Sequence, residues 1–192
     1  MKMTSKNNIP DSLTRDRSVL VVVDMQERFR DLIHNMDQVL DGSSRLIKFF
    51  HQMDIPILVT EHYSRGLGVT VTEIRNLFKP LKPLEKIHFS CMGDLGFCKA
   101  LADTGRDQII LCGIETHVCI YQTAADLLRE GKQVTVAVDA VSSCSAKNRQ
   151  IGLNRMSELG VQSMGVQMLM FELLNRAGTP DFKAVSGLLK ES

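Results

Sequence analysis

The 192-residue sequence lacks the features that would assign it to a membrane, secretory or nucleic-acid-binding class. It has no apolar run near the roughly 18 residues that a membrane span needs. Its polar start has no apolar centre of the kind found in a secretory signal. Twenty-three basic residues against 22 acidic ones leave a formal charge of +1, so no net field attracts nucleic acid or an anionic membrane. We therefore expect neither a nucleic-acid nor a membrane partner.

The cysteines are too few and too scattered for a disulfide framework or a structural zinc site. There are five, an odd number, and no two of them form a Cys-x-x-Cys pair. They stand at Cys91, Cys98, Cys112, Cys119 and Cys144. Free thiols are typical of a reducing compartment, so we expect a cytoplasmic protein, with an organelle left open as the alternative.

Nucleotide-binding motifs are also absent. Gly66-Leu-Gly68 lacks the third glycine and the following helix of a dinucleotide fingerprint, and no phosphate-binding P-loop is present. The serines at 142, 143 and 145 are interpreted as caps of the helix that follows, not as nucleophiles. No cofactor is expected.

Short apolar segments alternate with helical patterns along the whole chain, which indicates a parallel sheet with helices on both faces. The segments show little polar alternation, as is typical of strands buried on both sides. Strands are expected at 19–23, 55–60, 86–89, 108–112, 133–138 and 161–164, and helices at 38–53, 96–104, 116–130, 146–159, 165–175 and 181–190. We therefore predict a single doubly wound (Rossmann-like) α/β domain with a six-stranded parallel sheet at 18–192. A disordered or extended N-terminal arm is predicted at 1–17.

Cys119 is the first candidate for a functional residue. Gly113 ends the apolar strand at 108–112, and the helix predicted at 116–130 begins just after it. Cys119 should therefore lie in the first turn of that helix, where free N–H groups and the helix dipole favour a thiolate over a thiol. The alternative is a free cysteine that serves as a small core residue.

Two charged residues are expected beside Cys119. Asp24 ends the apolar strand at 19–23, and Lys86 lies in a short extended segment. In parallel sheets the chemistry gathers at the carboxyl ends of the strands. A carboxylate there can accept the thiol proton, and an ammonium can stabilise a thiolate and an oxyanion. Taken singly, Asp24 could instead cap a helix and Lys86 could be a surface charge.

Together these segments resemble the isochorismatase-like cysteine hydrolases, a superfamily that includes nicotinamidases and N-carbamoylsarcosine amidohydrolase. The resemblance covers about 18–174, and it looks closest to the small isochorismatase-domain-containing proteins. The matching pieces are Val-Val-Asp24-Met-Gln, the segment around Lys86, Gly113-Ile-Glu-Thr-His-Val-Cys119, Thr60-Glu-His-Tyr-Ser-Arg-Gly-Leu-Gly68 and Cys112-Gly-Ile-Glu115.

The resemblance implies a catalytic triad of Asp24, Lys86 and Cys119. Cys119 would attack a carbonyl-type carbon, Asp24 would take the thiol proton and pass it to the leaving group, and Lys86 would lower the pKa of the thiol. The backbone N–H groups of Glu115 and Cys119 would form an oxyanion hole, next to a cis peptide bond at Ile114–Glu115.

The implied activity is hydrolysis of a small-molecule substrate at an amide, carbamoyl or related C–N bond through a thioester-type intermediate. The alternative is a catalytically silent binding or scaffolding protein that keeps the fold and the triad. The candidates for the substrate pocket are Phe29, Glu61, Tyr63 and His117. Nicotinamidases bind a divalent metal through an Asp-x-His pair, and here His62 and Ser64 occupy those positions. No metal is therefore expected.

We predict that the chain forms a homo-oligomer. The helical segments at 116–130 and 165–175 offer little polar surface to solvent, and members of the superfamily it resembles are usually oligomers. Light scattering at micromolar concentration should give a mass of at least twice that of one chain. A monomeric mass would contradict this prediction.

Overall fold

The computed structural model describes residues 11–190, and its strands form one six-stranded sheet. All neighbouring strands pair in parallel, in the order β3-β2-β1-β4-β5-β6. The strands are β1 Ser18–Val23, β2 Ile57–His62, β3 Leu84–Lys86, β4 Gln108–Ile114, β5 Gln133–Ser142 and β6 Gln162–Met164. The predicted doubly wound α/β fold with six parallel strands is confirmed.

Helices connect the strands and cover both faces of the sheet. They are α1 Met36–Gln52, α2 Ser64–Leu67, α3 Thr72–Arg75, α4 Leu95–Thr104, α5 Tyr121–Arg129, α6 Ala146–Glu158, α7 Val166–Leu174 and α8 Pro180–Lys190. At the start of α6, Ser145 Oγ accepts a hydrogen bond from the N–H of Asn148, as its interpretation as a cap requires. The same interpretation was wrong for Ser142, which ends β5 and donates to His34 O, and for Ser143, whose Oγ contacts His117. No helix between residues 11 and 190 is both long enough and apolar enough to cross a membrane.

The central strand β1 is buried on both sides, which explains its unbroken apolar sequence. Leu20 and Val22 belong to the core layer under α1 and α7. Val19, Val21 and Val23 belong to the opposite layer, under α4, α5 and α6. Two apolar layers therefore hold β1 in the middle of the molecule, and its carboxyl end lies at the middle of the sheet edge.

Several predicted boundaries were wrong, and Gly113 does not end its strand, since β4 continues to Ile114. The strand predicted at 55–60 is β2 Ile57–His62, and the strand predicted at 86–89 is β3 Leu84–Lys86. The pairing of the strands fixes these bounds, because Leu20 pairs with Ile57 and Thr60 pairs with Leu84. Strand β5 extends to residue 142, past the predicted end at 138. The single helix predicted at 116–130 is a π-helix, Thr116–Ile120, followed by α5. In the π-helix the N–H of Ile120 donates to Glu115 O, five residues back, a spacing that apolar periodicity does not reveal.

The predicted arm at 1–17 lies partly outside the described residues, since 1–10 are not described. The remainder packs against the domain. Leu13 is buried, its N–H donates to Glu172 Oε1 at 2.8 Å, and the N–H of Thr14 donates to Gln108 Oε1 at 2.8 Å. Arg17 pairs with Asp107 at 2.8 Å.

Gly113 allows β1 and β4 to approach closely beside the site described below, and we predict that Gly113→Ala is strongly destabilising. A Cβ at this position would lie 2.2 Å from Val23 O, and the residue has φ = 109°. The backbone atoms of Val23 that this Cβ would meet cannot move aside. We therefore expect a loss of about 3 kcal/mol or more in the free energy of unfolding, measured in urea.

The matched control is Gly96→Ala in α4, where an added Cβ meets nothing within 4 Å. It should leave the free energy of unfolding unchanged or raise it by up to about 1 kcal/mol. Equal changes in the free energy of unfolding for the two substitutions would show that the close approach of β1 and β4 does not require glycine at position 113.

Candidate functional site

Asp24, Lys86 and Cys119 converge at the carboxyl edge of the sheet. Asp24 directly follows β1, Lys86 ends β3, and Cys119 lies in the π-helix after β4. Lys86 Nζ is 2.7 Å from Asp24 Oδ2 and 3.7 Å from Cys119 Sγ. The ammonium therefore contacts both the carboxylate and the thiol.

The Lys86 ammonium is enclosed by protein, with 1% of the residue exposed. Its Nζ donates to the backbone oxygens of His88 and Phe89, at 3.1 and 3.2 Å, as well as to Cys119 Sγ. Burial acts to lower the pKa of Lys86, but the negative charge of Asp24 and the neighbouring thiols outweigh it, and the pKa is raised. Lys86 is therefore a permanent positive charge in this site.

The Asp24 carboxylate uses its two oxygens differently. Oδ1 accepts a hydrogen bond from Thr60 Oγ1 at 2.7 Å. Oδ2 forms the buried ion pair with Lys86 Nζ at 2.7 Å. Because a carboxylate oxygen has more than one lone pair, Oδ2 keeps the capacity to accept a proton beside this ammonium.

Cys119 is a buried thiol, 7% exposed. Burial raises its pKa most, the Asp24 charge raises it further, and Lys86 offsets only part of this increase. The expectation of a thiolate at the helix start was therefore wrong for the resting site, although Lys86 does act to lower the pKa as predicted. The resting pair is a neutral thiol beside a carboxylate.

The turn that carries Cys119 is held against α6. A Cβ at Gly152 of α6 would lie 2.9 Å from the backbone of His117, so only glycine allows this contact. At the start of the turn, Glu115 O accepts the N–H groups of Val118 and Ile120. The Ile114–Glu115 peptide bond is cis.

The four residues predicted to line the pocket occupy different environments. Phe29 is partly buried and packs against the core layer under α1. Glu61 is buried, and its Oε1 accepts hydrogen bonds from the N–H and hydroxyl of Thr70, both at 2.7 Å. Tyr63 is exposed, and His117 Nδ1 lies 3.0 Å from Ser143 Oγ. Glu61 thus supports the scaffold, whereas Tyr63 is exposed and Phe29 and His117 are both partly exposed.

The positions aligned with the nicotinamidase metal ligands have other contacts here. Ser64 Oγ donates to Glu85 Oε1 at 2.5 Å. The His62 ring packs on the Phe89 ring with centroids 5.4 Å apart. Burial and the nearby Lys86 charge lower the pKa of His62, which favours a neutral imidazole.

Three supporting residues were not found by sequence reasoning. Thr60, within β2, donates to Asp24. Gln26 joins β1 to β2, since its Oε1 accepts the N–H of His62 at 2.8 Å and its Nε2 donates to Gly68 O at 2.6 Å. Cys91 is fully buried near the ion pair, and burial and the Asp24 charge raise its pKa to about 12. No local pattern signals the contact between Thr60 and Asp24, because it joins residues 36 positions apart.

Comparison with known proteins gives consistent matches over most of the chain. The isochorismatase domain family model matches residues 18–168. Mouse (Mus musculus) isochorismatase domain-containing protein 2B is 41% identical, over 92% of this chain and 82% of its own length. A structure described as the MAR1 ribonuclease of Caenorhabditis elegans has a TM-score of 0.88 at 34% identity, over 95% of this chain and 94% of that one.

A more distant structure shares the fold. The YcaC gene product of Escherichia coli, described as an octameric hydrolase of unknown specificity, has a TM-score of 0.86 at 24% identity. The similarity covers 92% of this chain and 88% of that one.

We predict that Asp24→Asn speeds alkylation of Cys119 at neutral pH. The substitution keeps the size of the side chain but removes a negative charge that raises the pKa of the thiol, while Lys86 still lowers it. A lower pKa means more thiolate at any pH below it, and one unit gives about tenfold. The rate of iodoacetamide labelling of Cys119, followed by mass spectrometry across pH, should rise about tenfold or more at pH 7.

The reverse shift is expected for Lys86→Met, whose labelling profile should move to higher pH. Asp107→Asn is the matched control, because it removes the same charge at the start of β4, where Asp107 pairs with Arg17. If the profile of Asp24→Asn coincides with that of Asp107→Asn, the Asp24 charge does not act on the thiol.

Proposed function

The chain belongs to the isochorismatase family, and from that premise we propose that it hydrolyses a small-molecule amide, carbamoyl or related C–N bond with Cys119 as the nucleophile. The main support is the position of the Lys86 ammonium, 2.7 Å from the Asp24 carboxylate and 3.7 Å from Cys119 Sγ. A nucleophile, a proton acceptor and a fixed positive charge are the parts that covalent acyl transfer needs.

In the first half of the proposed reaction, the Cys119 thiol proton passes to Asp24 Oδ2 while Sγ bonds to the substrate carbonyl carbon. The carbonyl π electrons move to oxygen and form a tetrahedral oxyanion. When the C–N bond breaks, Asp24 returns the proton to the nitrogen, and an amine or ammonia leaves. The product on the protein is a thioester.

In the second half, water attacks the thioester carbon while Asp24 accepts one of its protons. The C–S bond then breaks, the sulfur regains the proton, and the acid product departs. Because the resting thiol is neutral, one carboxylate can serve as base and then as acid in each half without an external proton donor.

Lys86 and the backbone N–H groups of Glu115 and Cys119 have separate roles in this proposal. The Lys86 charge stabilises the sulfur as its proton leaves, since an opposite charge within about 4–6 Å favours the ionised form. The two N–H groups would bind the oxyanion, the group on which negative charge grows in the transition state.

RNA is the competing substrate, because the C. elegans neighbour is described as a ribonuclease. The charge of this chain does not favour it. The net charge is +1, and the Lys86 ammonium is buried and already paired with Asp24. Binding of a phosphate backbone needs exposed cations, so an uncharged small molecule fits better.

We further propose that the protein works as a homo-oligomer in a reducing compartment. Helix α7 exposes Met168 and Phe171, which are 57% and 48% accessible in the single chain, and burial of such apolar surface favours association. The E. coli protein with this fold is described as octameric. All five cysteines are free thiols, as a reducing compartment requires.

We predict that Cys119→Ala abolishes hydrolysis. A panel of small amides and carbamoyl compounds, read by ammonia release, should identify a substrate of the wild-type protein. On that substrate the variant should fall below about one thousandth of the wild-type rate, because the nucleophile is gone. The thioester should appear in the wild type as an added acyl mass by intact-protein mass spectrometry.

Cys98→Ala is the matched control, since Cys98 is a partly exposed thiol that donates to Met92 O and lies outside the site. It should keep wild-type turnover. No ammonia from any compound, with Cys119 still reactive, would favour the silent binding protein. Cleavage of an RNA substrate that Cys119→Ala loses would replace amide hydrolysis with ribonuclease activity.

A further inference from the structure

We propose that Glu115, His117 and Cys144 form a zinc-binding site beside the turn that carries Cys119. One potential ligand atom from each residue lies within 4.8 Å of the other two. Cys144 is exposed, and the other two are partly buried, so an ion has access from solvent. Between residues 11 and 190 no other three His, Cys, Asp or Glu side chains gather in this way.

The donor set favours zinc over other common divalent ions. A thiolate and an imidazole are ligands that zinc binds well, and zinc also accepts a carboxylate oxygen. Magnesium and calcium prefer sites made only of oxygen. Three protein ligands leave a fourth tetrahedral position for water or for an atom of a bound molecule.

Paired strand ends bring the ligands together. In the register of β4 and β5, Ile114 pairs with Ser142. Glu115 directly follows Ile114, and Cys144 lies two residues after Ser142. His117 lies two residues after Glu115, in the turn that Gly152 holds against α6. Ligands fixed by paired strands keep their separation, which lowers the free energy needed to assemble the site.

Neighbouring groups already orient the ligands. His117 Nδ1 contacts Ser143 Oγ at 3.0 Å, which favours coordination through Nε2. Glu115 Oε1 accepts the N–H of Cys144 at 2.9 Å, and Oε2 remains for the metal. Asn148 Nδ2 donates to Cys144 Sγ at 3.3 Å. Such second contacts on ligands are characteristic of metal sites in proteins.

The zinc site is separate from the triad and from residues 62 and 64. None of its side chains is Asp24, Lys86 or Cys119, so zinc binding does not require hydrolysis. The backbone of Glu115 nevertheless leads into the turn of Cys119. Zinc should therefore restrain the segment that presents the thiol, and its fourth position would lie on the same edge of the sheet.

The first test is a zinc titration of the metal-free, full-length chain against a chromophoric chelator. We expect one zinc per chain, with magnesium unable to compete. Cys144→Ser and His117→Ala should each weaken binding by at least about tenfold, because each removes a ligand. The matched controls Cys98→Ser and Cys119→Ala should bind as the wild type does. Circular dichroism will establish that each variant is folded.

Cobalt(II) in place of zinc identifies the thiolate. A sulfur-to-cobalt charge-transfer band in the near ultraviolet should appear in the wild type and in Cys119→Ala, and should be lost in Cys144→Ser. Absence of zinc binding by the wild type would overturn the proposal. So would a cobalt band that survives Cys144→Ser and disappears in Cys119→Ala. Neither readout uses turnover, so the result stands apart from the proposed hydrolase activity.

Discussion

The buried ion pair between Lys86 and Asp24 organises the carboxyl edge of the sheet. Moving two charges out of water is unfavourable, and their attraction offsets this only when further hydrogen bonds satisfy both partners. Here Thr60 binds Asp24, and the carbonyls of His88 and Phe89 bind Lys86. The pair therefore fixes the ends of β1, β2 and β3 together with the chain that follows β3.

The same pair sets the state of the thiol. Cys119 Sγ lies close to a positive and a negative charge whose effects on its pKa oppose each other. Burial is the largest cause of the raised pKa of Cys119, the Asp24 charge adds to it and Lys86 offsets only part, so the thiol is favoured over the thiolate. The site thus holds a thiol beside its proton acceptor, Asp24, and not a preformed thiolate. In the proposed reaction, a bound substrate would supply the driving force for proton transfer.

The fold could be predicted from the sequence because it depends on local pattern, and the three central residues were proposed from the ends of predicted segments together with a resemblance to a known family. An apolar strand that ends on Asp24 is visible in one dimension. The partners of these residues are not. Thr60 binds Asp24 across 36 positions of chain, and nothing in the residues around either one indicates that contact. The π-helix was missed for a related reason, since its apolar spacing matches that of an α-helix over one turn.

The enclosure of Lys86 and Asp24, each 1% exposed, limits how protons travel during the proposed reaction. The proton that leaves with the amine is the one that began on sulfur, and none has to enter from bulk solvent while the thioester forms. The number of protons in the site is therefore constant through this half of the proposed reaction. The hydrolytic water then brings both the proton that restores the thiol and the oxygen of the acid product.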